Sequence, residues 1–157
     1  MSEPVHIVEQ IREAFTLLLD SAVGEEHVHQ ASRLANGFQA DQYPLVVLSV
    51  TDTVIDRDQN NSIDTLNIDV DLKLSERTNA KRPEASLSAM RLKLQNALSA
   101  RGDLGFGKYW NWKVDSLAGH TFEPMADHPN SFAIAAVLPV SFTIQVRTDD
   151  YSTNLIS

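Results

Sequence analysis

The segment TLNIDVDLKLSE, residues 65–76, alternates without a fault, and no other stretch limits the fold so tightly. Leu66, Ile68, Val70, Leu72 and Leu74 fall on one side, and Asn67, Asp69, Asp71 and Lys73 on the other. A two-residue period over this length specifies a strand with one face in a core and one face toward water. A one-residue slip would expose the whole apolar set, so the register is tightly held. Such a strand needs partner strands at its sides and something apolar over one face.

Two helical segments can supply that cover. In PVHIVEQIREAFTLLLDSA, residues 4–22, the positions Val8, Ile11, Phe15, Leu18 and Ala22 recur at three- and four-residue steps. Glu9, Arg12, Glu13 and Asp20 lie off that stripe. Ser2 is the expected N-cap, with Glu3 and Pro4 in the first turn, and Gly24 ends the helix. A second helix is expected from Pro83 to Arg101, with Pro83 at its first position, Glu84 near the positive end of the dipole and Gly102 beyond its end. Its buried stripe is Leu87, Met90, Leu94, Ala97 and Leu98. Leu92 stands about 200° from Met90, at 100° per residue, and falls outside.

The remaining strands are expected near His27–Leu34, in YPLVVLSVTDTVI behind Pro44, at Trp110, Trp112 and Val114, and in the alternating run Leu138, Val140, Phe142, Ile144 and Val146. The tail RTDDYSTNLIS, residues 147–157, is polar and is expected to be loose. The order α-β-β-β-α-β-β defines one α+β domain over residues 1–157, a mainly antiparallel sheet packed with two helices. At this length a domain buries roughly two-thirds of its unfolded surface.

The stretch DRDQNNSIDTLN, residues 56–67, resembles a calcium loop, with Asp56, Asp58, Asn60 and Asp64 at its positions 1, 3, 5 and 9. The context is wrong for it. Strands lie on both sides where an EF-hand needs helices, position 12 is Asn67 instead of glutamate, and position 6 is Asn61 instead of glycine. Asp and Asn serve turns for their own backbone reasons, so a solvated strand-connecting loop is expected.

Other apparent motifs are weak. The RGD at residues 101–103 sits where the second helix ends, and the glycines at 102, 105 and 107 follow a helix, whereas a phosphate-binding loop precedes one. His27 and His29 would share a strand face, but no third metal ligand is evident and surface histidines are expected. In KYWNWK the tryptophans are expected to face the core, and Tyr109 and the lysines outward. With no cysteine, disulfides, thiolate metal sites and thiol catalysis are excluded. No hydrolase elbow, zincin motif or Walker loop is present, and the carboxylates lie on strand and helix exteriors. The expectation is a structural or binding protein with no cofactor or metal, not an enzyme. No apolar run reaches the ~20 residues of a membrane helix. The start MSEPVHIVEQ lacks a basic signal region, so a cytoplasmic site of assembly is expected.

The net charge of −8 argues against tightly held nucleic acid. It is unevenly spread: residues 1–71 carry −10, residues 73–113 carry +6, and residues 114–157 carry −4. A subunit with a negative and a positive sector suits head-to-tail contact with its own copies.

The pattern as a whole resembles the tail terminator, or tail completion, proteins of long-tailed bacteriophages. The segments that carry the likeness are IVEQIREAFTLLLDSA, YPLVVLSV, TLNIDVDLKL, the helix PEASLSAMRLKLQNALSARG and a last strand ending near RTDDYST. The likeness spans almost the full chain and rests on order, lengths and patterning. It implies a virion protein in the neck region, assembled as a six-membered ring on the last ring of the tail tube. Such a ring stops tube polymerisation and offers its other side to the head-completion proteins, with DNA passing through the lumen without specific binding. On that reading Arg91, Leu92, Lys93 and Arg101 mark a basic, partly apolar contact surface. Asp56, Asp58, Asp69 and Asp71 then mark the opposing acidic surface or the lumen. Two alternatives stand beside it: another neck or head–tail joining protein, and an acidic inhibitor or immunity-type binding domain.

Overall fold

A computed structural model describes residues 3–30, 42–78, 81–100, 113–114, 121–124 and 132–155. The elements are α1 (Ile7–Val23), β1 (Val28–Gln30), β2 (Leu45–Asp58), β3 (Ile63–Arg77), α2 (Pro83–Ala100), β4 (Lys113–Val114), β5 (Thr121–Pro124) and β6 (Phe132–Arg147). They form one sheet in the order β1-β2-β3-β6-β4, with β5 also paired to β6. Among the described strands only β1 and β2 run parallel. The chain is an α+β protein, and β5 is a strand that the sequence pattern did not reveal.

The alternating segment is the centre of the sheet. Leu72 of β3 stands between Leu48 of β2 and Leu138 of β6, and Val70 between Val50 and Val140. This face carries both helices, and Leu66, Ile68, Val70, Leu72 and Leu74 are all buried in the core beneath them. Phe15 of α1 stacks on Phe142 of β6, with ring centroids 6.4 Å apart. On the opposite face Tyr43, Leu45, Val47 and Ala133 make a smaller buried cluster at one end of the sheet.

Proline at position 139 lies inside the longest strand without breaking it. Gln145 turns its N–H to the outer edge of β6, where Asn154 Oδ1 receives it. The two-residue period turns the nitrogen of Pro139 to the same edge. That position falls between the β5 pairing at 132–135 and the β4 pairing at 140–141, where no described strand requires a ladder donor.

Three expectations are corrected. The N-cap of α1 is His6, whose Nδ1 accepts from the Val8 amide at 3.1 Å; Ser2 lies outside the described residues. The buried stripe of α1 is Ile7, Ile11, Phe15 and Leu19, with Val8, Leu18 and Ala22 only partly buried. At about 100° per residue both sets centre on the same direction, and Ile7 and Leu19 widen the stripe on either side. The first turn is anchored from outside, where the Ile7 amide donates to the Tyr151 carbonyl at 2.7 Å. Third, residues 148–155 are not loose. They form a strap in which Thr148 N donates to Ser62 O at 2.8 Å and Leu155 N to Gln145 O at 2.7 Å. Gln10 Nε2 donates to Ser152 O at 2.6 Å. Polar composition hid the strap because these bonds use backbone groups, which every residue carries.

The stripe of α2 falls as expected on Leu87, Met90, Leu94 and Leu98, with Ala97 partly buried. Its first turn is tied to β3 by Ser86 Oγ, which donates to the buried Glu76 carboxylate at 2.8 Å. Losing a hydrogen bond to a buried charge costs about 1.5–3 kcal/mol. Ser86→Ala is therefore expected to lower the unfolding free energy by that amount, checked by denaturant titration. Trp110, Trp112, Arg101 and Gly102 lie outside the described residues.

Candidate functional site

Two surfaces of opposite charge stand on opposite sides of the sheet, and a bulge in β2 decides the membership of the acidic one. Val54 pairs with Leu66, but Asp56 pairs with Thr65, so Ile55 is an extra residue. Strict alternation would have put Asp56 on the helix-bearing face and Arg57 on the bare one. The bulge reverses both. Asp56 and Asp58 join Thr65, Asn67, Asp69 and Asp71 on the helix-free face, and the four acidic candidates are brought to one side of the molecule. Asp71 is exposed, and partial burial, followed by the charge of Asp69 two residues away, pushes its carboxyl above the ordinary 3.8.

A raised folded pKa means the ionised carboxylate is disfavoured by folding. Its stabilising share is present only below the unfolded pKa and is lost as pH rises through the folded one. Asp71→Asn is thus expected to raise the thermal midpoint slightly at neutral pH, with the difference vanishing in acid, as a melting series across pH can read.

Asp58 does turn work. Asn61 donates its amide to Asp58 Oδ1 at 3.2 Å and its side-chain nitrogen to Oδ2 at 2.7 Å, which lowers the Asp58 pKa. The tip between β2 and β3 has Ser62 at φ 54°, a left-handed turn position. Asp64 faces away from this turn and is buried at 1% exposure. Its carboxylate accepts from Tyr151 Oη, from Thr148 Oγ1 at 3.0 Å, and from Arg57 Nε at 3.4 Å. The Tyr151 bond is foremost among the causes that hold its pKa below 3.8. Among the described residues no group of three His, Asp or Glu is placed to hold a metal ion. Sequence reasoning missed this cluster, since its Tyr151 partner lies 87 residues away.

The histidine expectation is corrected as well. His27 does not share a strand face with His29; it ends a short 3₁₀ turn, and its Nδ1 lies 2.7 Å from the Pro44 carbonyl. That carbonyl, from the residue before β2, fixes the ring and holds the turn to the sheet entry.

The basic surface belongs to α2, which packs on β3 and α1. Leu92 is 59% exposed and Lys93 is exposed beside it. Arg91 is half-buried, and its Nε has no hydrogen-bond partner among the described residues. Lys81 and Arg82 are exposed just before the helix. Arg91, Leu92 and Lys93 thus stand together on the side of the sheet away from Asp69 and Asp71, while Arg101 falls outside the described residues. No helix among the described residues is long and apolar enough to cross a membrane. No family model matches the chain, and no curated protein matches it.

Proposed function

We propose that this chain is the ring-forming subunit of a tail terminator in a long-tailed bacteriophage. On this reading it caps the tail tube, stops its growth and presents a docking surface to the neck. The observation that carries the reading is the placing of acidic and basic surfaces on opposite sides of one sheet. A subunit charged in this way cannot satisfy both surfaces in an isologous pair. It favours a heterologous contact, which closes into a ring when the rotation allows. The helix-free face with Asp69 and Asp71 then suits the bore, where carboxylates repel phosphate and let DNA slide without sticking.

Light scattering and negative-stain imaging test the reading, with the protein alone and with tail-tube protein. The expected result is rings of six, or tubes of arrested length capped at one end. Raising salt from about 0.1 M to about 1 M shortens the Debye length from roughly 10 to 3 Å and is expected to weaken the assembly. A monomer that never assembles, even beside tube protein, overturns it. A tight one-to-one complex with a basic protein would favour the inhibitor alternative instead.

A further inference from the structure

The basic helix has two acidic surfaces to meet, the helix-free sheet face and the outer edge of β2, and charge alone does not choose between them. Exposed apolar side chains do. Val54 is 40% exposed and Ile55 57%, the one consecutive pair of exposed large apolar residues among those described. They lie between Asp52 and Asp56, both exposed. Apart from Pro139, the described sheet face around Asp69 and Asp71 offers polar groups, such as Ser49, Thr51, Asn67 and Ser141.

Among the described residues the edge is open. β1 pairs with residues 46–48 of β2, and beyond them no described residue pairs with that edge. The opposite edge of the sheet is guarded along β6 by β5, by β4 and by Asn154 and Leu155 at Gln145. An open edge with two apolar residues is a docking surface or an aggregation liability. Its occupant is not the same edge of another copy, because the bulge at Ile55 interrupts the ladder that edge pairing needs and Asp52 and Asp56 make both edges acidic. The occupant must be basic and carry an apolar anchor.

Resting on the ring reading, we propose that the β2 edge from Asp52 to Asp56 receives the Arg91–Leu92–Lys93 face of α2 from a second copy of this chain. Leu92 seats against Val54 and Ile55, and Arg91 and Lys93 meet Asp52 and Asp56. The helix can approach closely, since its exposed neighbours at Ser88 and Ala89 are small. The two surfaces cannot meet within one copy: α1 lies over β1 and β2, α2 over β3, and Leu92 points away from the sheet that buries Met90 and Leu94. The contact desolvates an apolar centre inside a charged rim, as stable interfaces do. It leaves Asp69 and Asp71 free of subunit contacts and open to the bore.

The chain has no cysteine, so introduced ones report cleanly. Ile55→Cys and Leu92→Cys chains, mixed and mildly oxidised in the presence of tube protein, are expected to give cross-linked dimers, and the double variant a ladder. Neither single variant alone should cross-link. Asp52→Lys with Asp56→Lys is expected to weaken assembly by about tenfold or more, and adding Arg91→Glu with Lys93→Glu to restore it. Rings that form without the 55–92 disulfide, an Ile55→Cys chain that dimerises alone, or charge reversals without effect overturn this inference and leave the terminator reading standing. A chain that stays monomeric beside tube protein overturns both.

Discussion

Phe15→Ala is expected to lower the unfolding free energy by about 3–5 kcal/mol, read from urea or guanidinium titration. Phe15 is fully buried and its ring lies nearly parallel to that of Phe142, at 14°. It bridges α1 to β6 across the core, and neither neighbour can collapse into the space because both are held by long elements. A domain has only about 5–15 kcal/mol in total, so the variant is expected to sit near the unfolding threshold. The same helix contains its own control. Leu17 is 65% exposed, and Leu17→Ala is expected to change stability by no more than about 0.5 kcal/mol. Equal losses at both positions would mean that α1 does not present the Ile7, Ile11, Phe15 and Leu19 face to the sheet.

The second large effect concerns the strap. Tyr151→Phe removes the donor foremost at Asp64 and leaves a buried carboxylate with Thr148 and Arg57. Hydrogen exchange at the Ile7 and Leu155 amides, both bonded in or to the strap, is expected to accelerate by about tenfold or more, with the central β3 amides less affected. Uniform acceleration across the sheet would show that the strap does not open as a separate unit. The pH dependence has a definite sign. Asp64 has a depressed folded pKa, so its contribution is complete above the ordinary carboxylate value and is lost as pH falls through the folded one. Tyr151 has a raised pKa, chiefly from its bond to Asp64, and its contribution is present below pH 10 and lost as pH rises through the folded value. The gap between Tyr151→Phe and the parent chain should therefore narrow in strong acid and again in strong alkali. Deleting Ile55 gives the contrasting result: it removes the bulge but keeps Asp56 opposite Thr65 and Arg57 opposite Asp64, so protection of the strap is expected to be retained.

What could be read along the chain was whatever depended on a period. The two-residue alternation of Leu66 to Leu74 and the helical spacing of Leu87, Met90, Leu94 and Leu98 placed the central strand, the face of α2 and the exposure of Leu92. Each pattern records a single flat or cylindrical surface meeting water on one side, and it needs no knowledge of partners. The segregation of charge was legible too, although not which face each carboxylate would take. That outcome hung on one extra residue in β2, which leaves no mark on composition and shifts Asp56 and Arg57 to opposite sides. The buried Asp64, the strap over α1 and the engagement of His27 with Pro44 all join residues far apart in the chain. They were decided only by tertiary structure, because an enclosed carboxylate or an anchored ring is a property of what lies beside it in space. Neighbouring letters carry the period of a surface, and folding alone chooses what that surface meets.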